Sequence, residues 1–413
     1  MKKNTNMFSA IWNNMPKILK FILLYVSSLT ILFVFMRLLF YILYDNADAP
    51  LTSSDFWTSM WLGFRFDLRV AVATVLPLFF LGWIKWFSPF YAAPIRVIWH
   101  SALTVAFALI SLAYIVDIGH YAYLNSRLNF TAMRFVEDAA ISAEMVWESY
   151  PVIWITLAWL LSIVLFVWTI EKIHHYVARS QPKKLKIWQG VIVGFAAFLV
   201  VLVAAYSKFS QYPLRWSEAT FSKDPFAAQL TYNPVHYFFD TWKNGRVNYN
   251  LKDTKKSYAT ISEFLDVPDK NSKRLNYQRH FPAKKGLGER PNVVLIIVES
   301  YASYKTSVSG NPLDPTPCTK ELAESGYYFK NFFTPSTGTA RSIYTTITGM
   351  PDVELHGTSS RNPLIVDQHT IMDEFDGYEK YYFIGGSASW GNIRGILTKN
   401  IKGLRLYEEE DYA

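Results

Sequence analysis

One cysteine, Cys318, stands in 413 residues, so no internal disulfide can form and any part of the chain outside a membrane must fold without one. Cys318 follows Thr316-Pro317, a helix-start signal, and precedes Gly326, a helix stop. It reads as a small helix residue rather than a catalytic thiol. The sequence has no internal repeat and no platform of interleaved basic and aromatic residues. Its net charge of +8 collects in loops beside apolar runs, so nucleic acid is not an expected partner. The apolar runs lack paired Gly/Pro breaks and deep ionisable residues, which argues against a transporter. The first run lacks a small-residue cleavage site and is too long for a signal peptide, so it reads as an uncleaved anchor.

Behind a mean hydropathy of +0.10 lies a sharp division. Residues 1–206 carry five segments long enough to span a bilayer: Ile18–Tyr44, Val70–Trp86, Ile95–Ile118, Val152–Ile170 and Trp188–Tyr206. Arg65, Asp67 and Arg69 crowd the start of the second, and Pro77 lies inside it. Asp117 and His120, at the end of the third, read as interfacial residues. The 14 tryptophans suit interfacial belts. Lys2, Lys3, Lys17 and Lys20 precede the first span, Lys85 and Arg96 flank the second short loop, and Lys172, Arg179, Lys183, Lys184 and Lys186 crowd the loop before the fifth. That bias places the N-terminus in the cytoplasm and, after an odd number of spans, everything beyond residue 206 outside.

Residues 207–290 divide into short helices at the membrane surface, around Arg215, Trp216 and Asn233-Pro234, and a polar linker over 251–290 whose charge run is a solvated stretch. From residue 291 to 413 the pattern predicts an α/β sheet. Strands are expected at 292–298, 327–333 and 381–384, helices at 317–325, 340–348 and 370–376, and a Gly-rich loop over 385–395.

The run Asn292-Val-Val-Leu-Ile-Ile-Val-Glu299-Ser300 reads as a buried parallel strand ending on a carboxylate, where open α/β sheets place their chemistry. Gly338-Thr339-Ala340-Arg341-Ser342 places a hydroxyl at a helix start after a glycine. A Thr hydroxyl is a poor nucleophile at neutral pH and needs a base or a cation. A carboxylate is a suitable hard ligand for such a cation, and a helix N-terminus offers N–H groups to a phosphate. Equally, Glu299 could cap the segment after a strand, and Thr339 could be an ordinary N-cap.

These elements, with Tyr328-Phe329-Lys330-Asn331-Phe332-Phe333 and Gly349-Met350-Pro351, resemble the lipoteichoic acid synthase group of phosphoglycerol transferases within the alkaline phosphatase/sulfatase superfamily. The resemblance implies an N-terminal α-helical transmembrane bundle of about five spans followed by a sulfatase-like α/β domain, in a bacterial inner membrane with that domain extracytoplasmic. It implies that Glu299 and Thr339 bind one divalent metal ion, manganese first, with magnesium or zinc as alternatives. Thr339 would also be the nucleophile, taking phosphoglycerol from a phospholipid donor and passing it to an envelope glycan or lipid acceptor. Gly385 to Gly395 is similar to the family's substrate loop, with the spacing changed by a residue. The resemblance assigns Trp390, Asn392 and Arg394, together with Arg341, to substrate binding.

The formylglycine motif of sulfatases, Cys/Ser-x-Pro-Ser-Arg, is absent, which argues against sulfate ester hydrolysis. Phosphoethanolamine transferases share a Gly-Thr-Ala turn, but usually carry outer-domain disulfides that one cysteine forbids. The family's remaining metal positions, an Asp-His pair and a later His, do not occur: there is no Asp-His dipeptide, and His356 and His369 fall elsewhere. The domain is therefore expected to be incomplete as it stands, and this stretch alone to bind metal poorly. A non-catalytic lipid-binding or sensing relative, or an inactive gene fragment, is the competing expectation.

Overall fold

The apolar runs fold as long helices: α1 (Lys17–Tyr44), α2 (Ser53–Leu81), α3 (Ala93–Leu124), the shorter α4 (Ala139–Ser149), α5 (Val152–Ala178) and α6 (Ile187–Tyr206). The computed structural model describes residues 12–133, 139–182, 186–222, 224–244, 250–280, 282, 288, 290–354 and 357–412. Lys2, Lys3, Lys183, Lys184 and His356 lie outside them. Two packing units result, one of Met1–Gly245 with Ala340–Ala413, the other Arg246–Thr339.

Among the described residues, α1, α3, α5 and α6 are long and apolar enough to cross a membrane. The second expected span, Val70–Trp86, is corrected. The helix there starts at Ser53, where the Thr52 side chain accepts from Asp55 N at 3.2 Å, and it stops at Leu81. Arg65, Asp67 and Arg69 thus lie in mid-helix, and Pro77 is accommodated inside it.

Hydropathy treats those charges as a boundary, whereas tertiary pairing removes their cost. Arg37 Nη2 of α1 lies 2.7 Å from Asp67 Oδ1, with the two side chains 3% and 0% exposed. Asn233 donates to the same carboxylate oxygen and to the Tyr114 hydroxyl. Arg69 donates to Ala205 O and Tyr206 O, closing the carbonyl end of α6. The expectation of no deep ionisable residue is therefore overturned. Asp117 is likewise buried, bound to Arg127 at 3.0–3.1 Å. His120 is buried with its Nδ1 at 2.7 Å from Ser126 O. A buried pair of this kind contributes little in itself, but losing one partner is costly.

The segment after α6 folds as expected into short helices, α7 (Pro225–Thr231) and α8 (Pro234–Asn244). Asp224 caps α7 by accepting from Phe226 N at 2.8 Å. A second core joins this segment to the C-terminal part of the same unit. Trp216, Tyr232 and Tyr237 pack with Ile343, Tyr344 and Ile347 and with Ile393, Ile396 and Leu397. In that part β1 (Lys380–Phe383) pairs in parallel with β2 (Leu404–Tyr407), Lys380 opposite Leu404, across a helical crossover, Ile393–Asn400. The strand expected at 381–384 is thus present. The helix expected at 370–376 is a single 3-10 turn, Ile371–Glu374, closed by a Thr370–Asp373 capping box.

In the other unit, a helix at Leu251–Phe264 is followed by an anchored turn, in which the Tyr258 hydroxyl donates to Asn276 O and accepts from Asn271 N. The linker over 251–290 thus contains a helix the composition did not suggest, started by Asn250, which accepts from Lys252 N and Asp253 N. The helix at Pro317–Ser325 begins and ends where Thr316-Pro317 and Gly326 place it. The strands expected at 292–298 and 327–333 are not formed. Residues 292–298 carry no regular secondary structure, with Val294 and Ile296 82% and 76% exposed. Apolar, β-branched sequence supplies the propensity for a strand, but a strand exists only where a neighbour accepts its backbone N–H and C=O groups. Among the described residues nothing pairs with either segment, and the only sheet is β1–β2.

Candidate active site

Residues 339–348 form a helix whose apolar positions Ile343, Tyr344 and Ile347 recur at helical spacing and are buried. Thr339 is its first residue, where the peptide N–H groups have no partner within the helix. Forty residues upstream, the apolar run ends on Glu299, and the chain turns at once through Ser300, which adopts a left-handed φ of 56°. A non-glycine residue in that region costs about 1 kcal/mol or more and persists where its surroundings require it.

The two side chains meet. Thr339 Oγ1 donates to Glu299 Oε1 at 3.0 Å, in a part of the surface open to solvent. The expected juxtaposition of carboxylate and hydroxyl is therefore present, although the strand expected to carry Glu299 is not. Two hard oxygens at this spacing suit neighbouring ligands of one small divalent cation. Ligands at about 2.1 Å and a right angle lie about 3.0 Å apart. Among the described residues no group of three or more His, Cys, Asp or Glu side chains gathers, so these two atoms fit as part of a ligand set. His369 is engaged elsewhere, with Glu374 at 2.7 Å and Asp373 at 3.6 Å. Cys318 is exposed in the first turn of its helix.

The Gly-rich loop belongs to the other packing unit and occupies the turn between β1 and the crossover helix, beyond the carboxyl end of a parallel strand, where such sheets bind ligands. Gly391 and Asn392 adopt left-handed φ values of 59° and 62°. A Cβ on Gly391 would stand 2.6 Å from the Ala340 Cβ, so this position requires glycine both for its φ and for space.

The substrate-binding residues expected in this loop differ in how committed their side chains are. Asn392 is buried, accepting from Ser217 Oγ and donating to Ser360 O at 2.8 Å. Arg394 is paired with Glu408. Arg341 donates to Asp352 O at 2.7 Å. Arg341 and Arg394 each retain a buried Nε–H without an acceptor among the described residues. Trp390 is 39% exposed.

Sequence reasoning missed the group that holds this loop. Glu218 Oε1 accepts from Ser389 Oγ at 2.6 Å and from Lys208 Nζ at 2.9 Å. Arg215 donates to Ser389 O, and Trp216 Nε1 donates to Arg361 O at 3.1 Å. Burial pushes the Glu218 carboxyl up, but the Ser389 hydrogen bond, the Arg394 charge and Lys208 outweigh it and hold it below its ordinary value. Arg215-Trp216 was the available signal, an Arg-Trp pair in an otherwise polar connection.

No solved structure matches the chain. The family model described as Sulfatase matches residues 291–401, a stretch that contains Glu299, Thr339, Arg341 and the whole Gly-rich loop. Together with the carboxylate–threonine pair, this match supports placing that segment in the alkaline phosphatase/sulfatase superfamily.

Proposed function

We propose that this chain is a membrane-anchored phosphotransferase that moves a phosphoglycerol group from a phospholipid to an envelope glycan or lipid acceptor through a phosphothreonine intermediate. The observation that carries the reading is the 3.0 Å hydrogen bond from Thr339 Oγ1 to Glu299 Oε1. The four apolar helices support the anchoring, and the Sulfatase match supports phosphoryl or sulfuryl transfer as the reaction class.

Thr339 Oγ attacks the phosphorus of the donor's phosphodiester. The Oγ–H already points at Glu299 Oε1, so the carboxylate orients the hydroxyl and is the first acceptor of its proton. The bond from phosphorus to the diacylglycerol oxygen breaks, and diacylglycerol leaves with a proton. An acceptor hydroxyl then attacks the phosphothreonine, gives up its proton, and regenerates the Thr339 hydroxyl. First-turn N–H groups of the Thr339–Thr348 helix suit the phosphoryl oxygens. The resemblance also assigns Arg341, Arg394 and Trp390 to substrate binding, and a guanidinium suits a phosphate through its planar fork. When bound to Glu299 and Thr339, a divalent cation (manganese, or magnesium or zinc) would supply the Lewis acidity that favours the alkoxide.

Phosphoethanolamine transfer and sulfatase-type hydrolysis use the same kind of site and are separated by substrate. The test is transfer of a labelled headgroup from phosphatidylglycerol, phosphatidylethanolamine or an aryl sulfate by the protein in proteoliposomes. Turnover of phosphatidylglycerol that is lost in Thr339→Ala supports the proposal. Turnover retained by that variant removes it. A second reading, a non-catalytic lipid-binding relative, draws on the two-atom donor set. It requires that the purified protein carry no stoichiometric metal and turn over none of the three substrates.

A further inference from the structure

Where the start of α1 meets the end of α5, a cavity of about 580 Å³ is lined by Lys20, Lys172, His175 and Arg179 with Trp12 and Tyr176. Lys172, His175 and Tyr176 of α5 and Arg179, the residue that caps its C-terminus in helical conformation, stand at i, i+3, i+4 and i+7 and share one face. Lys20 enters from α1, its side chain buried, with Nζ 3.3 Å from Asn13 O and 5.9 Å from the centre of the Trp12 ring. Trp12 Nε1 donates to the Tyr176 hydroxyl at 3.2 Å, which closes one wall.

Among the described residues no carboxylate lines this cavity. Glu171 is turned to His100 at 2.8 Å and reaches His175 at 3.8 Å. Lys172 and Arg179 are exposed and have no acidic partner among the described residues. Toward the middle of α5 the face continues as Leu161, Leu165 and Trp168, which are 58%, 55% and 61% exposed and lead by helical spacing to Lys172. The Lys172 ammonium lies 5.4 Å from the Trp168 ring.

A cup of cations that continues into an exposed apolar stripe, on a helix able to cross a membrane, has the polarity of a phospholipid. We infer that this cavity binds the phosphate of an anionic phospholipid, whose acyl chain lies along Leu161, Leu165 and Trp168. The charge selects an anion, and the stripe selects one that carries a chain rather than a free ion. The site lies within Trp12–Ser180 and uses neither Glu299 nor Thr339, so it does not rest on the transferase reading.

The test is native mass spectrometry of the full chain in detergent with equimolar phosphatidic acid and phosphatidylcholine. Phosphatidic acid carries no headgroup alcohol to transfer, so binding is read apart from turnover. Preferential retention of phosphatidic acid is expected. Lys172→Gln and Arg179→Gln should each lower it about fivefold, the effect of one basic side chain near an anionic surface. Lys252→Gln, an exposed lysine outside this unit, should not change it. Equal retention of the two lipids would overturn the proposal, as would retention unchanged in both glutamine variants. Displacement of phosphatidic acid by an equal concentration of inorganic phosphate would also overturn it, marking a soluble-anion site instead.

Discussion

Ser389 Oγ lies 2.6 Å from Glu218 Oε1 and donates to it, so the loop after β1 is held to the segment after α6 by a carboxylate only 14% exposed. The folded state lowers the Glu218 pKa from its ordinary 4.5. A depressed carboxyl pKa adds stability that is fully present above the unfolded value and is lost as pH falls through the folded one. Thermal unfolding followed from pH 7 downward should therefore show a loss of stability below about pH 4.5 that is smaller in Glu218→Gln. An identical acid slope in the two proteins would show that this carboxylate does not hold the loop.

Gly395 sits where a Cβ would come within 2.6 Å of the Trp216 ring. That close approach places the crossover helix against the second core. Gly395→Ala should cost about 1–3 kcal/mol by overpacking, read as a lowered midpoint of thermal unfolding. An unchanged midpoint would mean that Trp216 can move aside freely.

Asp67 neutralises Arg37 inside the bundle at 2.7 Å. Asp67→Ala leaves that guanidinium buried and uncompensated, and should destabilise the protein by about 3–5 kcal/mol. The double change Asp67→Leu with Arg37→Met should recover most of the loss. A double variant no better than the single one would show that the pair's neighbours, Asn233 and Tyr114, set the stability.

How much of this was legible in the sequence depends on whether the information is local. Helices carry their own ladders, so the apolar runs, the Thr316-Pro317 start and the helix opening at Thr339 could be read directly. The second span was misplaced because Arg65, Asp67 and Arg69 look like an end to a hydropathy scan, although Arg37 and the α6 carbonyls absorb two of them. The strands at 292–298 and 327–333 failed for the opposite reason. Their propensity is visible in Val293 to Val298, but pairing is not a property of the segment. In the site, Glu299 and Thr339 were named as a pair from residue chemistry and motif and do meet. Glu218 was not named, because Arg215-Trp216 marks its segment but not its partner Ser389, which lies 171 positions away.

Thr339 is the residue on which the functional account turns. Thr339→Ala should lower transfer on the order of 10⁴-fold or more, the scale of losing a covalent nucleophile, with little change in thermal stability, since the side chain is solvent-accessible. Thr339→Ser should keep measurable turnover, because it retains the hydroxyl. Glu299→Gln should bind the divalent cation more weakly, which can be measured by titration with manganese without any assay of activity.

The most direct measurement is peptide mass mapping of the protein quenched during reaction with phosphatidylglycerol vesicles and manganese. A phosphoglycerol adduct on Thr339 that disappears when acceptor is added, and is missing in Thr339→Ala, is the predicted result. Headgroup transfer that proceeds in Thr339→Ala, or an adduct on another residue, would contradict the account.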